Sequence, residues 1–249
     1  MAGKTLPFVL RKLMQDFDIF PLSPSFKVHI SRIQPPKRVS QATLLSIEEI
    51  WKEELLRTQG KLFNGKILCA DHFDGKHLYG RFVEYKLYLA QVRDSTLIHE
   101  LHLKPICVCG YTLAGNEILM GKRAEHVTDY PNYLELMPAG GIDPSALNEG
   151  HVDIIKQLKT ELKEEAGIEE AMIHHILPSY LIVDTHSHAY EICAQILLDP
   201  AVPKKELSHD DEHTEVFWIK QDHLSTFVHQ NRPLINPLSM QLLQLFLNK

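Results

Sequence analysis

Residues 160–168 read Thr160-Glu161-Leu162-Lys163-Glu164-Glu165-Ala166-Gly167-Ile168. On a helix, Glu161, Glu164 and Glu165 stand at positions i, i+3 and i+4, so their three carboxylates project from one face. Like charges at that spacing destabilise a bare helix by about 0.2–0.5 kcal/mol per pair, whereas hard cations such as Mg2+ favour carboxylate oxygens. The spacing therefore predicts a helix that supplies half of a metal site.

The same spacing is also common on solvated helix faces, where it has no function. The neighbouring residues favour the metal site. An apolar stripe of Ile154, Ile155, Leu158 and Leu162 lies beside the acidic face, and Gly167 stands where a helix C-cap is expected. Upstream, the helix is reached through the loop Pro138-Ala139-Gly140-Gly141.

Strand-like segments flank the acidic helix on both sides. They are predicted at residues 104–113 and 117–123 around the turn Ala114-Gly115-Asn116, at 133–137, and after the helix at 176–183, 189–198 and 215–219. An amphipathic stretch closes the chain. The predicted order is strands, glycine loop, acidic helix, strands and a final helix.

These features resemble the signature of the Nudix hydrolases, G-x5-E-x7-R-E-U-x-E-E-x-G-U, where U is a bulky aliphatic residue. Residues 161–168 match its second half without a gap, and Gly141 matches its opening glycine. The first half departs from the pattern. The spacing from Gly141 to Glu161 is 161 − 141 = 20 positions rather than 15, which predicts a loop insertion of five residues around 143–150. Val152 and Thr160 replace the signature glutamate and arginine together, so neither charge is left unpaired.

The resemblance implies a Nudix α/β/α sandwich over residues 104–249, preceded by a smaller α+β region at 1–103, and thus an α+β fold class. It also implies a Mg2+-dependent or Mn2+-dependent hydrolase of nucleoside diphosphates linked to another group. Gly141, through its carbonyl oxygen, and Glu161, Glu164 and Glu165 would then hold the metal, and the three glutamates would be catalytic.

A loop ahead of Trp218 often delivers a further carboxylate or a general base in this family. Glu212 and Glu215 are the candidates here, ahead of Asp210 and Asp211, and a plain acidic surface loop is the alternative. The two glutamates are expected to differ in importance.

Substrate contacts are predicted at a few further positions. Lys122 and Arg123 end a core strand and could bind phosphate oxygens, or could be ordinary surface charges. Gly140 and Gly141 would bring the loop backbone close to the substrate. An aromatic partner for the base could be Tyr85, with Tyr88, Tyr130 and Tyr133 as alternatives.

The first hundred residues are predicted to contain a strand at 25–33, a helix at 46–57 capped by Ser46 with Glu49 at its third position, and strands at 62–73 and 77–84. The segment 78–86, the helix with Trp51 and residues 101–105 resemble the leader of UDP-glucose pyrophosphatases within the Nudix family. That likeness implies a UDP-sugar substrate, cleaved to UMP and a sugar 1-phosphate. ADP-ribose, a dinucleotide, and an inactive nucleotide-binding module remain alternatives.

Composition narrows the class of protein. The chain has 249 residues, of which 44% are hydrophobic, enough for one large domain or two small ones. No apolar run reaches about 18 residues and the first 20 residues lack a signal-peptide core, so no membrane partner and a cytoplasmic location are expected. The net charge of −6 argues against a general nucleic-acid binder. The expected partner is a small nucleotide, and the choice between monomer and homodimer stays open.

The cysteines and most of the histidines are not expected to bind zinc. Four irregularly spaced cysteines do not suggest a disulfide framework, and Cys107 and Cys109 are expected to be buried or half-buried thiols on a strand. The histidine groups at 174–175, 186–188 and 209–213 are expected to be solvated loop residues, because no zinc-ligand spacing surrounds them.

Overall fold

The computed structural model describes residues 17–31, 39–202, 207 and 210–247. They form a mixed α+β fold with two β-sheets. The strands are β1 (Phe17–Pro21), β2 (Val28–Ile30), β3 (Lys66–Phe73), β4 (Leu78–Glu84), β5 (Ile106–Ala114), β6 (Glu117–Arg123), β7 (Leu134–Leu136), β8 (Ala139–Gly141), β9 (Leu147–Asn148), β10 (His151–Val152), β11 (Ile173–Asp184), β12 (Tyr190–Leu198) and β13 (His213–Lys220).

The α-helices are α1 (Gln41–Arg57), α2 (Tyr85–Arg93), α3 (Ile98–Leu101), α4 (Ile154–Ala166), α5 (Gln221–Asn231) and α6 (Pro237–Leu247). In this part of the chain no helix is long and apolar enough to cross a membrane.

The larger sheet has the strand order β1-β11-β12-β5-β6-β13, with β7 added beside β6 and β8 beside β5. Strands β5 and β12 run parallel, whereas the other pairs in this sheet are antiparallel. Since β8 pairs with β5 from Cys107 to Cys109, the glycine loop is part of the sheet. This pairing fixes the loop beside the centre of the core.

Two hydrophobic clusters cover the two faces of the larger sheet. On one face, Val108 and Ile192 pack with Leu158 and Leu162 of α4. On the other, Tyr111 and Ile182 pack with Leu224, Leu242 and Leu243 of the C-terminal helices. The larger sheet is therefore sandwiched between helices, as the α/β/α expectation requires.

The smaller sheet, with the order β3-β4-β2-β10-β9, contains most of the N-terminal strands. Leu68 and Leu78 from this sheet belong to the same hydrophobic cluster as α4. Backbone hydrogen bonds also join the two regions, from the Leu68 amide to the Ile142 carbonyl at 2.9 Å and from the Ala70 amide to the Lys104 carbonyl at 2.7 Å. One continuous core thus spans the boundary drawn at residue 104.

The inserted segment before α4 is more ordered than a loop. Strands β9 and β10 form a small hairpin around Glu149 and Gly150, which both have positive φ angles. His151 of β10 pairs with His29 of β2, so the hairpin extends the N-terminal sheet. The prediction of a loop at 143–150 was wrong for residues 147–148, which form β9, and His151 just beyond the turn pairs with the distant His29.

Several other element predictions need correction. Helix α1 begins at Gln41, and its N-cap is Ser40 rather than Ser46. The Ser40 hydroxyl accepts a hydrogen bond from the Thr43 amide at 3.2 Å, while Glu100 accepts hydrogen bonds from the Ser40 amide and hydroxyl. His174 and His175 are exposed, as expected, but lie on strand β11 rather than in a loop. The strand predicted at 25–33 is shorter, and residues 32 and 33 lie outside the described residues.

Candidate functional site

Helix α4 carries the acidic residues and has well-defined ends. The Asp153 side chain accepts a hydrogen bond from the Lys156 amide at 2.9 Å, which caps the N-terminus. Gly167 ends the helix with a φ of 63°, the left-handed conformation predicted for it. Leu158 and Leu162 are fully buried on the sheet side. The buried stripe fixes the rotation of the helix and points Glu161 and Glu165 toward the glycine loop.

Glu161 packs directly against Gly140. A Cβ atom added to Gly140 would overlap the carboxyl carbon and both carboxyl oxygens of Glu161. Gly140 lies opposite Val108 in the sheet, so its missing side chain would have pointed toward α4. Gly141 is different, because a Cβ atom there would meet only Ile67 Cγ2, at 3.9 Å. The glycine that the Glu161 carboxylate requires is therefore Gly140.

Gln157 joins Glu161 to the glycine loop. Its side-chain amide Nε2 donates hydrogen bonds to Glu161 Oε1 at 2.6 Å and to the Gly141 carbonyl oxygen at 3.1 Å. Gln157 is itself buried, one turn before Glu161 on the helix. The amide thus bridges two groups predicted as metal ligands and holds them on the same side of the loop.

Glu165 is hydrogen-bonded to the backbone of the glycine loop. It is only 2% exposed, and its carboxylate accepts a hydrogen bond from the Ala139 amide at 3.0 Å. Burial raises the pKa of Glu165 well above its ordinary value, and the charges of Glu135 and Glu161 add to the effect. Its contact makes it a residue that positions the glycine loop.

The environment of Glu161 concentrates negative charge. Burial, together with the nearby charges of Glu164, Glu212 and Asp143, raises the pKa of Glu161 to about 7. Glu164 itself is exposed at the rim. Three acidic groups, one on α4, one in the loop before β13 and one after β8, therefore act on the carboxyl group of Glu161.

The chemistry of these donors fits a hard divalent cation, because carboxylate and carbonyl oxygens are its preferred ligands and a cation would offset the repulsion around Glu161. Within residues 17–31, 39–202, 207 and 210–247, no three His, Cys, Asp or Glu side chains already form a group that could hold a metal ion. The ligand set Gly141, Glu161, Glu164 and Glu165 stays a prediction.

A buried polar network lies on the neighbouring strands. Glu135 is 3% exposed and accepts hydrogen bonds from Arg123 at 2.6 Å, from Asn236 at 3.0 Å and from His213 Nε2 at 2.9 Å. Burial alone would lower the pKa of His213, but hydrogen bonds to Asp210 and Glu135 raise it to about 9. His213 is therefore a buried cation, and the prediction of a solvated loop histidine was wrong for it.

Arg123 is part of the same network. Its Nε donates to the Asp129 carbonyl oxygen at 3.0 Å and its terminal nitrogen to Glu135, so Arg123 ties the β6–β7 loop to the sheet instead of lying on the surface. Lys122 points to the opposite face of β6 because side chains alternate along a strand. Phosphate binding by either residue stays a prediction.

The two candidate glutamates of the acidic loop lie on different sides. Glu215 pairs with Lys122 across the antiparallel strands and therefore lies on the face away from Arg123. The charge of Glu212 acts on both Glu161 and Arg123. Although the Glu212 side chain has solvent contact, desolvation by surrounding protein atoms raises its pKa. Glu212 belongs to the cluster around Glu161, and Glu215 does not.

Two tyrosines of helix α2, Tyr85 and Tyr88, contact the loop between β6 and β7. The hydroxyl groups of Tyr85 and Thr128 share a hydrogen bond of 2.8 Å, and the Tyr88 hydroxyl donates to Asp129 at 3.4 Å. Helix α2 is thereby attached to the β6–β7 loop. Base stacking by Tyr85, whose ring lies 6.3 Å from that of Tyr88, stays a prediction, with Tyr88, Tyr130 and Tyr133 as the alternatives.

Comparisons with known proteins give structural likenesses only. No family model matches the chain, and no curated protein matches it. A bifunctional NMN adenylyltransferase/ADP ribose pyrophosphatase from Francisella tularensis is similar over 65% of this chain and 46% of its own, with 16% identity and a TM-score of 0.48. A Nudix hydrolase from Nitrosomonas europaea is similar over 57% of this chain and 86% of its own, with 16% identity and a TM-score of 0.39.

An ADP-ribose pyrophosphatase from Streptococcus suis is similar over 47% of this chain and 75% of its own, with 15% identity and a TM-score of 0.33. The Francisella enzyme has also been solved with AMP and a Mn ion. At these identities and TM-scores, neither an activity nor a substrate follows for this chain.

Sequence reasoning missed three residues of the site. Gln157 looks like an ordinary helix residue, and only the register of α4 against β8 shows its two hydrogen bonds. Glu135 and His213 meet across 78 positions of the chain. One sequence signal was available: Glu135 lies between Leu134 and Leu136 in an apolar strand, where a buried charge requires a partner.

Proposed function

We propose that this protein is a Nudix-type hydrolase that cleaves, with Mg2+ or Mn2+, the diphosphate of a nucleoside diphosphate joined to another group. The proposed substrate is a UDP-sugar, which would give UMP and a sugar 1-phosphate. The substrate choice rests on the resemblance of residues 78–86 and 101–105 to the leader of UDP-glucose pyrophosphatases.

The observation that carries the proposal is the packing of Glu161 against Gly140. A carboxylate pressed onto a glycine backbone, with no room for a side chain, brings an anionic group beside exposed loop backbone. A structural glutamate would be expected to have a basic partner, but the charges that act on Glu161 are acidic. Carboxylates that are held close together despite their mutual repulsion are typical of a site that binds a cation.

The residues divide the chemistry among them. Glu161 and the Gly141 carbonyl would hold the cation together with Glu164, while Gln157 keeps Glu161 and the loop aligned and Glu165 holds Ala139. A divalent cation would supply electrostatic stabilisation of the charge that develops on the phosphoryl oxygens. Glu212, whose pKa is raised by desolvation, would orient the attacking water and accept its proton at a carboxyl oxygen.

Glu212→Gln is expected to lower kcat roughly a hundredfold, because general acid–base groups contribute on the order of 10²–10⁴ in rate. Glu215→Gln is the matched control, since it removes the same charge three residues later, on β13 and on the face of the sheet away from Arg123. Steady-state kinetics of the two variants would decide. Equal rates for both variants and the wild type would show that neither glutamate takes part in catalysis.

The proposed function is tested with a substrate panel. Purified protein with Mg2+ or Mn2+ is incubated with UDP-glucose, UDP-galactose, ADP-ribose, a CDP-alcohol and a dinucleoside polyphosphate, and release of nucleoside monophosphate is measured by chromatography. Cleavage of the UDP-sugars, abolished by EDTA, is the expected result. Selective cleavage of another member would keep the chemistry and reject the sugar nucleotide. No cleavage by folded protein would favour a binding module.

A further inference from the structure

The side-chain oxygen of Gln157 on helix α4 is a buried acceptor. Gln157 is 2% exposed, and its Oε1 atom has no hydrogen-bond partner among the described residues. An amide oxygen can accept two hydrogen bonds, and polar atoms buried in folded proteins nearly always have a partner. The unpaired oxygen therefore points to a ligand that this side chain would bind.

The orientation of the Gln157 amide is set by the two groups that it contacts. Nε2 donates to the Gly141 carbonyl oxygen at 3.1 Å and to Glu161 Oε1 at 2.6 Å. A backbone carbonyl group can only accept hydrogen bonds, so the NH2 group rather than Oε1 must face Gly141. The unpaired oxygen is consequently left at the other end of the same amide group.

The two oxygens that Nε2 contacts are the ones predicted to hold the cation. An amide nitrogen is not a ligand for Mg2+ or Mn2+, whereas an amide oxygen is. Rotation of the amide by about 180° exchanges its nitrogen and its oxygen, and the last side-chain torsion of glutamine is soft and roughly two-fold. A single rotation would therefore release Glu161 and Gly141 and turn Oε1 toward them.

Gln157 also extends the row of oxygen groups along α4. Gln157, Glu161 and Glu164 stand at positions i, i+4 and i+7, which lie on one face of a helix. In the part of the chain that the structure describes, no three His, Cys, Asp or Glu side chains form a group that could hold a metal ion. Oxygens of another kind are therefore needed beside the carboxylates, and amide and backbone carbonyl oxygens suit Mg2+ and Mn2+.

We propose that Gln157 is a further ligand of the divalent cation through Oε1, and that its amide group turns over when the cation binds. Before binding, the NH2 group aligns Glu161 with the Gly141 carbonyl. After binding, Oε1 joins these two oxygens as a ligand. This inference rests on the proposed function, because it takes Glu161 and the Gly141 carbonyl as ligands of the same cation.

The test measures the binding of Mn2+ alone, without substrate. Electron paramagnetic resonance reports free Mn2+ during a titration of the purified protein and so gives Kd. Gln157→Met keeps the length of the side chain but has neither a donor nor an oxygen, whereas Gln157→Glu keeps oxygens and loses the donor. Kd is expected to rise about tenfold or more in Gln157→Met, and in Gln157→Glu to fall or stay within about threefold of the wild type.

The two variants distinguish a ligand from a residue that only positions Glu161. A residue that acted only as a hydrogen-bond donor would fail in both variants, because neither methionine nor ionised glutamate can donate. Equal weakening of Mn2+ binding in both variants would therefore overturn the inference, and so would an unchanged Kd in Gln157→Met. Gln230→Met, at an exposed position on α5, is the matched control and should leave Kd unchanged.

A second measurement follows the amide in the wild-type chain. The NH2 signal of Gln157 in a nitrogen-15 NMR spectrum is identified by its absence from Gln157→Glu. It should move when diamagnetic Mg2+ is added, because Nε2 gives up both of its hydrogen bonds. A signal that stays in place while the backbone signal of Gly141 shifts to saturation would overturn the inference, even if Gln157→Met does not fold.

Neither measurement depends on hydrolysis. Mn2+ binding that depends on Gln157, in a protein that cleaves no member of the substrate panel, would support the inference and reject the proposed function. Metal-dependent cleavage by the wild type, with unchanged Mn2+ binding in Gln157→Met, would overturn the inference and leave the function standing.

Discussion

Glu161→Gln is expected to reduce kcat of the metal-dependent hydrolysis by at least about a hundredfold, which corresponds to about 2.7 kcal/mol or more of lost transition-state stabilisation. The change keeps the size of the side chain and its fit against Gly140. It removes the negative charge that a divalent cation would bind. Steady-state rates across a Mg2+ titration would measure the loss, and the half-saturating metal concentration should rise as well.

The protein fold itself should not suffer from this substitution. Glu161 lies among like charges, so removing its charge relieves repulsion, and thermal denaturation without metal should give a melting temperature equal to or above that of the wild type. Glu169→Gln is the matched control, because Glu169 forms an exposed ion pair with Lys163 just beyond the helix. Full turnover by Glu161→Gln would remove Glu161 from the metal site.

Gly140→Ala should have a comparable effect by a different route. The new methyl group would occupy the position of the Glu161 carboxylate, so either the carboxylate rotates away or the loop withdraws from α4. Introducing a methyl group into a packed site costs typically about 1–3 kcal/mol in stability. Displacing the carboxylate should lower kcat roughly a hundredfold, because metal and substrate would no longer be held in register.

Gly141→Ala provides the control one residue away. The added methyl group would have open space, with Ile67 Cγ2 as its nearest neighbour at 3.9 Å, so stability and turnover should change little. Both variants would be measured by thermal denaturation and by kcat. If Gly141→Ala were the damaging change and Gly140→Ala the neutral one, the contact between the loop and Glu161 would be assigned to the wrong glycine.

Local sequence signals predicted the acidic helix well. The apolar stripe, the Gly167 cap and the spacing of the glutamates depend on residues within one helix, and the structure confirms the stripe and the cap. The strands of residues 104–123 and 189–198 were also predicted closely, because alternation and the turn at Gly115 are local features. A burial pattern that depends on near neighbours is accessible from sequence.

Features that depend on distant pairing were not accessible. The insertion before α4 has turn residues that predict a loop, but residues 147–152 form a short hairpin, and His151 of this hairpin pairs with the distant His29 of β2. His213 lies in an acidic segment that predicts solvent exposure, but it is buried and forms a hydrogen bond with the distant Glu135. Ser46 and Glu49 form a plausible capping pair, but Ser40 starts the helix because Glu100 binds it from elsewhere.

The hairpin of residues 147–152 has a consequence for the evolution of this chain. It continues the N-terminal sheet and leads directly into the helix that carries Glu161, and the same core cluster contains Leu68, Leu78 and Leu158. A segment with the limits of the family resemblance, 104–249, would lose β2, one of the two strands paired with β10, and would expose apolar surface. The two regions are therefore expected to have been inherited as one unit, since neither could be exchanged for a foreign module without rebuilding the other.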